Sequence, residues 1–187
     1  MEIITTEFKD LFLLKPRVFP DARGYFYESY NRQVLHQAGI SYDFVQDNQS
    51  ESAYGVIRGL HYQIAPFAQT KLVRVIMGEV YDVAVDLRPG SATYGQCYGI
   101  VLSSDNKFQL LIPQGFAHGF SVLSDRAIVL YKTDAYYNRE SEKGIVFNDK
   151  LLNIDWKLPP GDVIVSEKDL FLPTLEQQDS HTIIRES

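Results

Sequence analysis

Arg58, His61 and Gln63 fall within one largely apolar octet, Val56–Gln63, and Lys71 opens a second apolar run, Lys71–Met77. Both runs read as buried strands, and a strand that turns ionisable side chains toward a core must give them partners or a ligand. The residue types point to one kind of chemistry. Imidazole exchanges a proton near neutral pH, an ammonium steadies a developing oxyanion, and a guanidinium grips phosphate. Together they suit proton abstraction from an anionic substrate. Taken singly, His61 also reads as a hydrogen-bonded core histidine and Arg58 as an ordinary ion-pair residue. Lys71 is harder to dismiss, because its expected face-mates Val73, Val75 and Met77 are apolar and a buried ammonium loses its hydration. The three-residue step from Arg58 to His61 would send them to opposite faces of a regular strand. A bulge at Gly59 would return both to one side.

Such side chains need a scaffold, and most of the chain supplies strands. Residues 11–19 read as a first strand closed by the turn chemistry of Pro20-Asp21-Ala22-Arg23-Gly24, followed by a short strand at 25–30. Residues 31–38 read as a helix with Asn31 as N-cap and Gly39 as its stop. Residues 44–52 alternate, with Gln46, Asn48 and Ser50 on one face. Residues 80–87 place Tyr81, Val83, Val85 and Leu87 on one face and Asp82, Ala84 and Asp86 on the other. Further short strands are expected at 94–102, 108–112, 119–123 and 127–133, a spacing that suits a sandwich or barrel. From Ile154 onward, with Trp156, Pro159, Pro160 and Pro173, the chain reads as irregular or weakly helical.

The length of 187 residues fits one domain with a sizeable core, spanning 1–187 and ending in a polar tail at 176–187 of the kind that is often mobile. Aromatics make up 13% of the chain, which favours β structure. A net charge of −6 argues against nucleic acid or an anionic membrane as partner, since both require a positive field. Cys97 is the single cysteine, so no intrachain disulfide or thiolate cluster is expected. The start lacks the basic and apolar regions of a secretory signal, and no apolar run has the length of a membrane helix, so a cytoplasmic location is expected.

The stretch Ile112-Pro113-Gln114-Gly115-Phe116-Ala117-His118 resembles the second motif of the cupins, small β-barrels of jelly-roll type. Metal-binding cupins pair that histidine with a His-x-His, whereas this chain offers His61-Tyr62-Gln63. With 4 histidines in all, and His36 and His181 far from any ligand motif, no metal site and no cofactor are expected. Leu130-Tyr131-Lys132 and Tyr136-Tyr137 add a phenolic acid and an aromatic platform, although core packing is the ordinary fate of any one tyrosine. Val165-Ser166-Glu167-Lys168-Asp169 reads locally as a solvated turn.

Taken in order, the segments 19–28, 44–50, 58–63, 71–75, 78–86 and 112–120, with Tyr131-Lys132, Tyr136-Tyr137 and Ser166-Glu167-Lys168-Asp169, resemble the dTDP-4-dehydrorhamnose 3,5-epimerases, cupin-fold enzymes of dTDP-L-rhamnose synthesis. The resemblance runs from about residue 14 to residue 175. It implies an all-β, cupin-like jelly-roll barrel with a few short helices, acting on a dTDP-4-keto sugar as a homodimer without metal or cofactor. It further implies that His61 is the base, oriented by Asp169, that Tyr131 is the acid on the opposite face of the sugar, and that Lys71 lies near the C4 oxygen. Arg23, Phe26, Glu28, Gln46, Asn48, Arg58, His118, Glu142 and Lys168 are similar to residues that contact sugar, diphosphate or nucleotide, with Arg23 and Glu28 reaching the partner's site. Tyr137 is similar to the tyrosine that stacks near thymine. The chain departs from the family where Asn138-Arg139 replaces a common Ser-Pro. A sugar-nucleotide 3-epimerase, a 3,4-ketoisomerase and a non-catalytic sugar-nucleotide-binding cupin stand as the alternatives.

Overall fold

The computed structural model describes residues 1–178, so the tail expected at 176–187 lies outside the described residues from 179 onward. In chain order the strands are β1 (Glu2–Thr5), β2 (Phe12–Lys15), β3 (Val18–Asp21), β4 (Gly24–Tyr27), β5 (Gln46–Ala53), β6 (Val56–Gln63) and β7 (Lys71–Met77). They continue as β8 (Glu79–Asp86), β9 (Cys97–Ser103), β10 (Gln109–Ile112), β11 (Phe116–Val122), β12 (Arg126–Thr133), β13 (Glu142–Gly144) and β14 (Ile164–Val165). Among the described residues, two short α-helices, α1 (Arg32–Gln37) and α2 (Glu167–Leu170), complete the regular structure together with two 3₁₀ turns.

One sheet runs β1-β2-β10-β7-β12-β5 and the other β13-β6-β11-β8-β9, with β14 added to β6. Period-two alternation explains why they stack. Val73, Val75, Leu110 and Ile112 of the first sheet meet Val80, Ala84, Phe120 and Val122 of the second in one core between them. The intervening residues cover the outer faces. Leu72 and Leu111 pack under α1 with Leu35 and Ile40, while Val83, Val85 and Leu87 pack against the C-terminal segment with Ile145, Leu152 and Trp156. The result is the mainly β, jelly-roll type of architecture expected.

Local chemistry sets the boundaries. The expected strand at 11–19 is divided into β2 and β3 around Pro16, which has no N–H to lend to a ladder. Pro20, expected in a turn, instead lies within β3, which pairs only with β4 in a separate hairpin where the missing donor is tolerated. Asn31 caps α1 by accepting from the N–H groups of Gln33 and Val34, and Gly39 follows the helix with φ of +80°. Met77 does not share the buried face of Val73 and Val75, because the β7–β12 register slips between Ile128 and Val129 and leaves it exposed.

Candidate active site

A cavity of about 640 Å³ opens between the sheets, a volume that suits a small-molecule ligand. β6 forms one wall and supplies both Arg58 and His61. That is possible because β6 carries the expected bulge: His118 pairs with His61 and Phe120 with Arg58, so three residue steps on β6 face two on β11. Gly59 sits at the extra residue with φ of +121°, and a Cβ there would stand 2.5 Å from the Gly119 Cα.

His61 Nε2 lies 2.7 Å from the Asp169 Oδ1. The histidine side chain is 31% exposed and the carboxylate only 6%. Burial alone would raise the Asp169 pKa, yet the His61 hydrogen bond and charge, with the Gly59 N–H and Ser166, hold it below its ordinary value. An ionised carboxylate only accepts, so His61 donates through Nε2–H and keeps Nδ1 as its basic nitrogen. Asp169 reaches this point because β14 pairs in parallel with β6, Ile164 against Val56 and Val165 against Ile57. The chain then turns into α2, capped by Ser166 accepting from the Asp169 N–H. The run that looked like a solvated turn thus carries a buried carboxylate.

Lys71 enters from the facing sheet. Its Nζ donates to the His61 carbonyl at 3.1 Å, and burial pulls its pKa down to about 8 against the opposing pull of Asp82 and Glu142. Tyr131, on β12 of the same sheet, lines the cavity opposite His61. Burial raises its pKa and the Arg58 charge acts the other way, so the phenol keeps its proton at neutral pH. Arg58 donates through Nε to Ser52 Oγ (2.9 Å) and through Nη2 to the Glu51 carbonyl (3.3 Å). At the rim, Glu142 accepts from Lys168 (2.6 Å) and from the Tyr137 hydroxyl (3.0 Å). Burial would raise the Glu142 pKa, but these two bonds hold it low. Asn48 lines the cavity, and Gln46 stands beside it, donating to Asn48 Oδ1 (2.8 Å) and accepting from the Tyr137 N–H (3.1 Å). His118 lies in the floor.

The fold therefore brings together His61, Asp169, Lys71, Tyr131, Arg58, Asn48, His118, Tyr137, Glu142 and Lys168, with Gln46 adjoining. It does not bring Arg23, Phe26 or Glu28 to this cavity: they belong to the exposed β3–β4 hairpin and the residue after it, and Arg23 pairs with Asp21 at 2.6 Å. Three residues without an expected role prove structural to the site. Gln63 donates to the carbonyls of Phe67 (2.7 Å) and Tyr136 (3.2 Å) and accepts from the Asn138 N–H (2.7 Å), fixing the loop that presents Tyr137. Asn138, at the departure from the family pattern, accepts from the N–H groups of Glu140 and Ser141 and closes the same loop. Asp82 binds His118 at 2.8 Å, and its signal was an aspartate alternating with apolar residues on a buried strand. Among the described residues no three His, Cys, Asp or Glu side chains cluster as a metal site would require, and no helix is long and apolar enough to cross a membrane.

Comparison with known proteins agrees with this geometry. The family profile described as dTDP-4-dehydrorhamnose 3,5-epimerase matches residues 5–177. The chain is 56% identical over 161 residues to the enzyme of that name from Pseudomonas aeruginosa, covering 86% of this chain and 88% of that one. It is 52% identical over 178 residues to the one from Escherichia coli, covering 95% and 96%. A crystal structure of a dTDP-6-deoxy-D-glucose-3,5-epimerase from Legionella pneumophila, in complex with dTDP-4-keto-L-rhamnose, superposes with a TM-score of 0.94 at 46% identity, covering 100% of this chain and 98% of that one.

Proposed function

The chain belongs to the dTDP-4-dehydrorhamnose 3,5-epimerase family, and on that premise we propose how it inverts C3 and C5 of dTDP-4-dehydro-6-deoxy-D-glucose to give dTDP-4-dehydro-L-rhamnose. The C4 carbonyl acidifies the hydrogens on both neighbouring carbons. His61 removes one through Nδ1, with Asp169 fixing the ring and steadying the imidazolium that forms. Lys71 offsets the charge on the enolate oxygen. Tyr131 then returns a proton from the other side, and the carbon is inverted. Proton exchange with solvent then returns His61 to its neutral form and Tyr131 to its protonated form, and a second round at the other carbon completes the reaction without a redox or metal partner in any step.

One observation carries this reading. His61, held by the Asp169 carboxylate of α2, stands on one sheet and Tyr131 with Lys71 on the facing one, across a single cavity. A base and an acid on opposite walls is the arrangement that inversion needs and that binding alone does not.

In the same reading Arg58 and Lys168 meet the diphosphate, Gln46, Asn48, Glu142 and His118 contact sugar and nucleotide, and Tyr137 stacks on the base. Arg23, Phe26 and Glu28 serve the site of a second copy in a homodimer. That assignment is supported by the hairpin that leaves Phe19, Tyr25 and Phe26 exposed in the single chain. The cytoplasm is the proposed location.

The test is incubation with the dTDP-4-keto-6-deoxy sugar in heavy water, followed by NMR. Deuterium and inversion are expected at both C3 and C5. Exchange confined to C3 would reduce the activity to that of a 3-epimerase, and no exchange at either carbon would leave a binding protein.

A further inference from the structure

The floor of the cavity holds a second histidine–aspartate pair for which the scheme above has no use beyond sugar contact. His118 is the cross-strand partner of His61, yet each has its own carboxylate, Asp169 arriving from α2 and Asp82 from β8. His118 Nε2 lies 2.8 Å from the Asp82 Oδ1, with side-chain exposures of 7% and 0%. The other carboxylate oxygen, Oδ2, is buried and has no hydrogen-bond partner among the described residues. A fully buried carboxylate with one oxygen unpaired is costly, and an apolar side chain would fill the position more cheaply if packing were its only task.

We propose that Asp82 is a positioning residue: it holds His118 as the tautomer whose Nδ1 accepts a hydrogen bond from a donating hydroxyl of the sugar. The proposal rests on the reading of this cavity as a sugar-nucleotide site. This follows from donor and acceptor count. A carboxylate at Nε2 accepts a hydrogen bond from Nε2–H, which leaves Nδ1 without a proton. His118 lines the cavity, and its Nδ1 has no partner among the described residues.

Imidazole ¹⁵N NMR of the substrate-free protein tests this, with His118→Gln used to assign the signal. The expected result is a protonated Nε2 and a bare Nδ1 at neutral pH. A proton on Nδ1 instead would overturn the proposal while leaving the epimerase reading intact, because no substrate is involved. In Asp82→Asn we expect kcat/KM to fall by about 10- to 100-fold, the scale of one buried hydrogen bond left poorly paired. An unchanged kcat/KM in the folded variant would make Asp82 a packing residue only. If Asp82→Asn does not fold, the wild-type tautomer still decides.

Discussion

Lys71, Tyr131 and Asp169 are each shifted by what surrounds them, and the roles proposed for them and for His61 make predictions at the scale of the residue. His61→Ala removes the base and should lower kcat by about 10²–10⁴-fold with loss of solvent exchange at both carbons. Tyr131→Phe leaves the base, so exchange should persist while inversion falls; the same NMR measurement separates the two, and full epimerisation in both variants would show the roles to be misassigned. Asp169→Asn keeps the shape of the pair and removes its charge. It should reduce kcat by about 10- to 100-fold, the scale of a hydrogen bond to a charged group, with a smaller change in KM, as for an interaction that strengthens in the transition state. Lys71 sets a pH limit. Its pKa in the fold is about 8, below the ordinary 10.5, so the ammonium is present below that value and lost as pH rises through it. The kcat/KM profile should therefore show an alkaline limb near pH 8, and Lys71→Arg, whose guanidinium does not deprotonate, should abolish that limb even where activity is reduced.

At the scale of elements, two backbone devices assemble the site, and they differ in how far the sequence announces them. The bulge in β6 was legible. Arg58 and His61 three apart in one apolar strand require it, and Gly59 is the residue that permits it. The strands were legible too, since alternation marks β5 and β8, an apolar β-branched run marks β7 and turn spacing marks β12, while the short β1, β13 and β14 carry too few residues to show a period. The position of Asp169 was not legible locally. Nothing in Ser166-Glu167-Lys168-Asp169 distinguishes it from a solvated turn, because its burial comes from the parallel pairing of β14 with β6, about a hundred residues away in sequence; only the family resemblance pointed to it. The loop clamp formed by Gln63 was equally silent, since a glutamine's partners are set by tertiary contact. The bulge gives a direct test. In Gly59→Ala the new Cβ would meet the Gly119 Cα at 2.5 Å and the His118 carbonyl at 2.7 Å, at a φ that L-residues rarely adopt. A destabilisation of about 1–3 kcal/mol is expected from the overpacking, measured by denaturant unfolding. Activity should fall further than stability requires, because the same residue aims Arg58 and His61. An alanine variant with normal stability and turnover would remove the bulge from the account of the site.

At the scale of the whole molecule, the two sheets, the helix α1 beneath one and the C-terminal segment over the other account for the buried residues, but not for the β3–β4 hairpin. That hairpin pairs with no other strand and leaves Phe26 70% exposed and Tyr25 58% exposed, in a segment that also holds Arg23 and Glu28. Large aromatic side chains presented together on a projecting ribbon are what an interface uses as anchors. Their place in the proposed reading is the site of a second copy, where Phe26 packs and Arg23 and Glu28 add charge at the mouth of the cavity. Sedimentation of the wild-type chain should then give a dimer. Phe26→Glu puts a charge where the partner's surface would bury it, and should weaken association by at least about tenfold, as removal of an interface anchor does. Because Phe26 takes no part in the core of its own chain, thermal unfolding of the separated monomer should change little. The loss of activity should appear chiefly in KM, since His61, Lys71, Tyr131 and Asp169 all come from one chain and stay assembled without the partner. A wild-type monomer with full turnover, or a Phe26→Glu variant that remains dimeric and unimpaired, would return Arg23, Phe26 and Glu28 to the role of solvent-exposed hairpin residues.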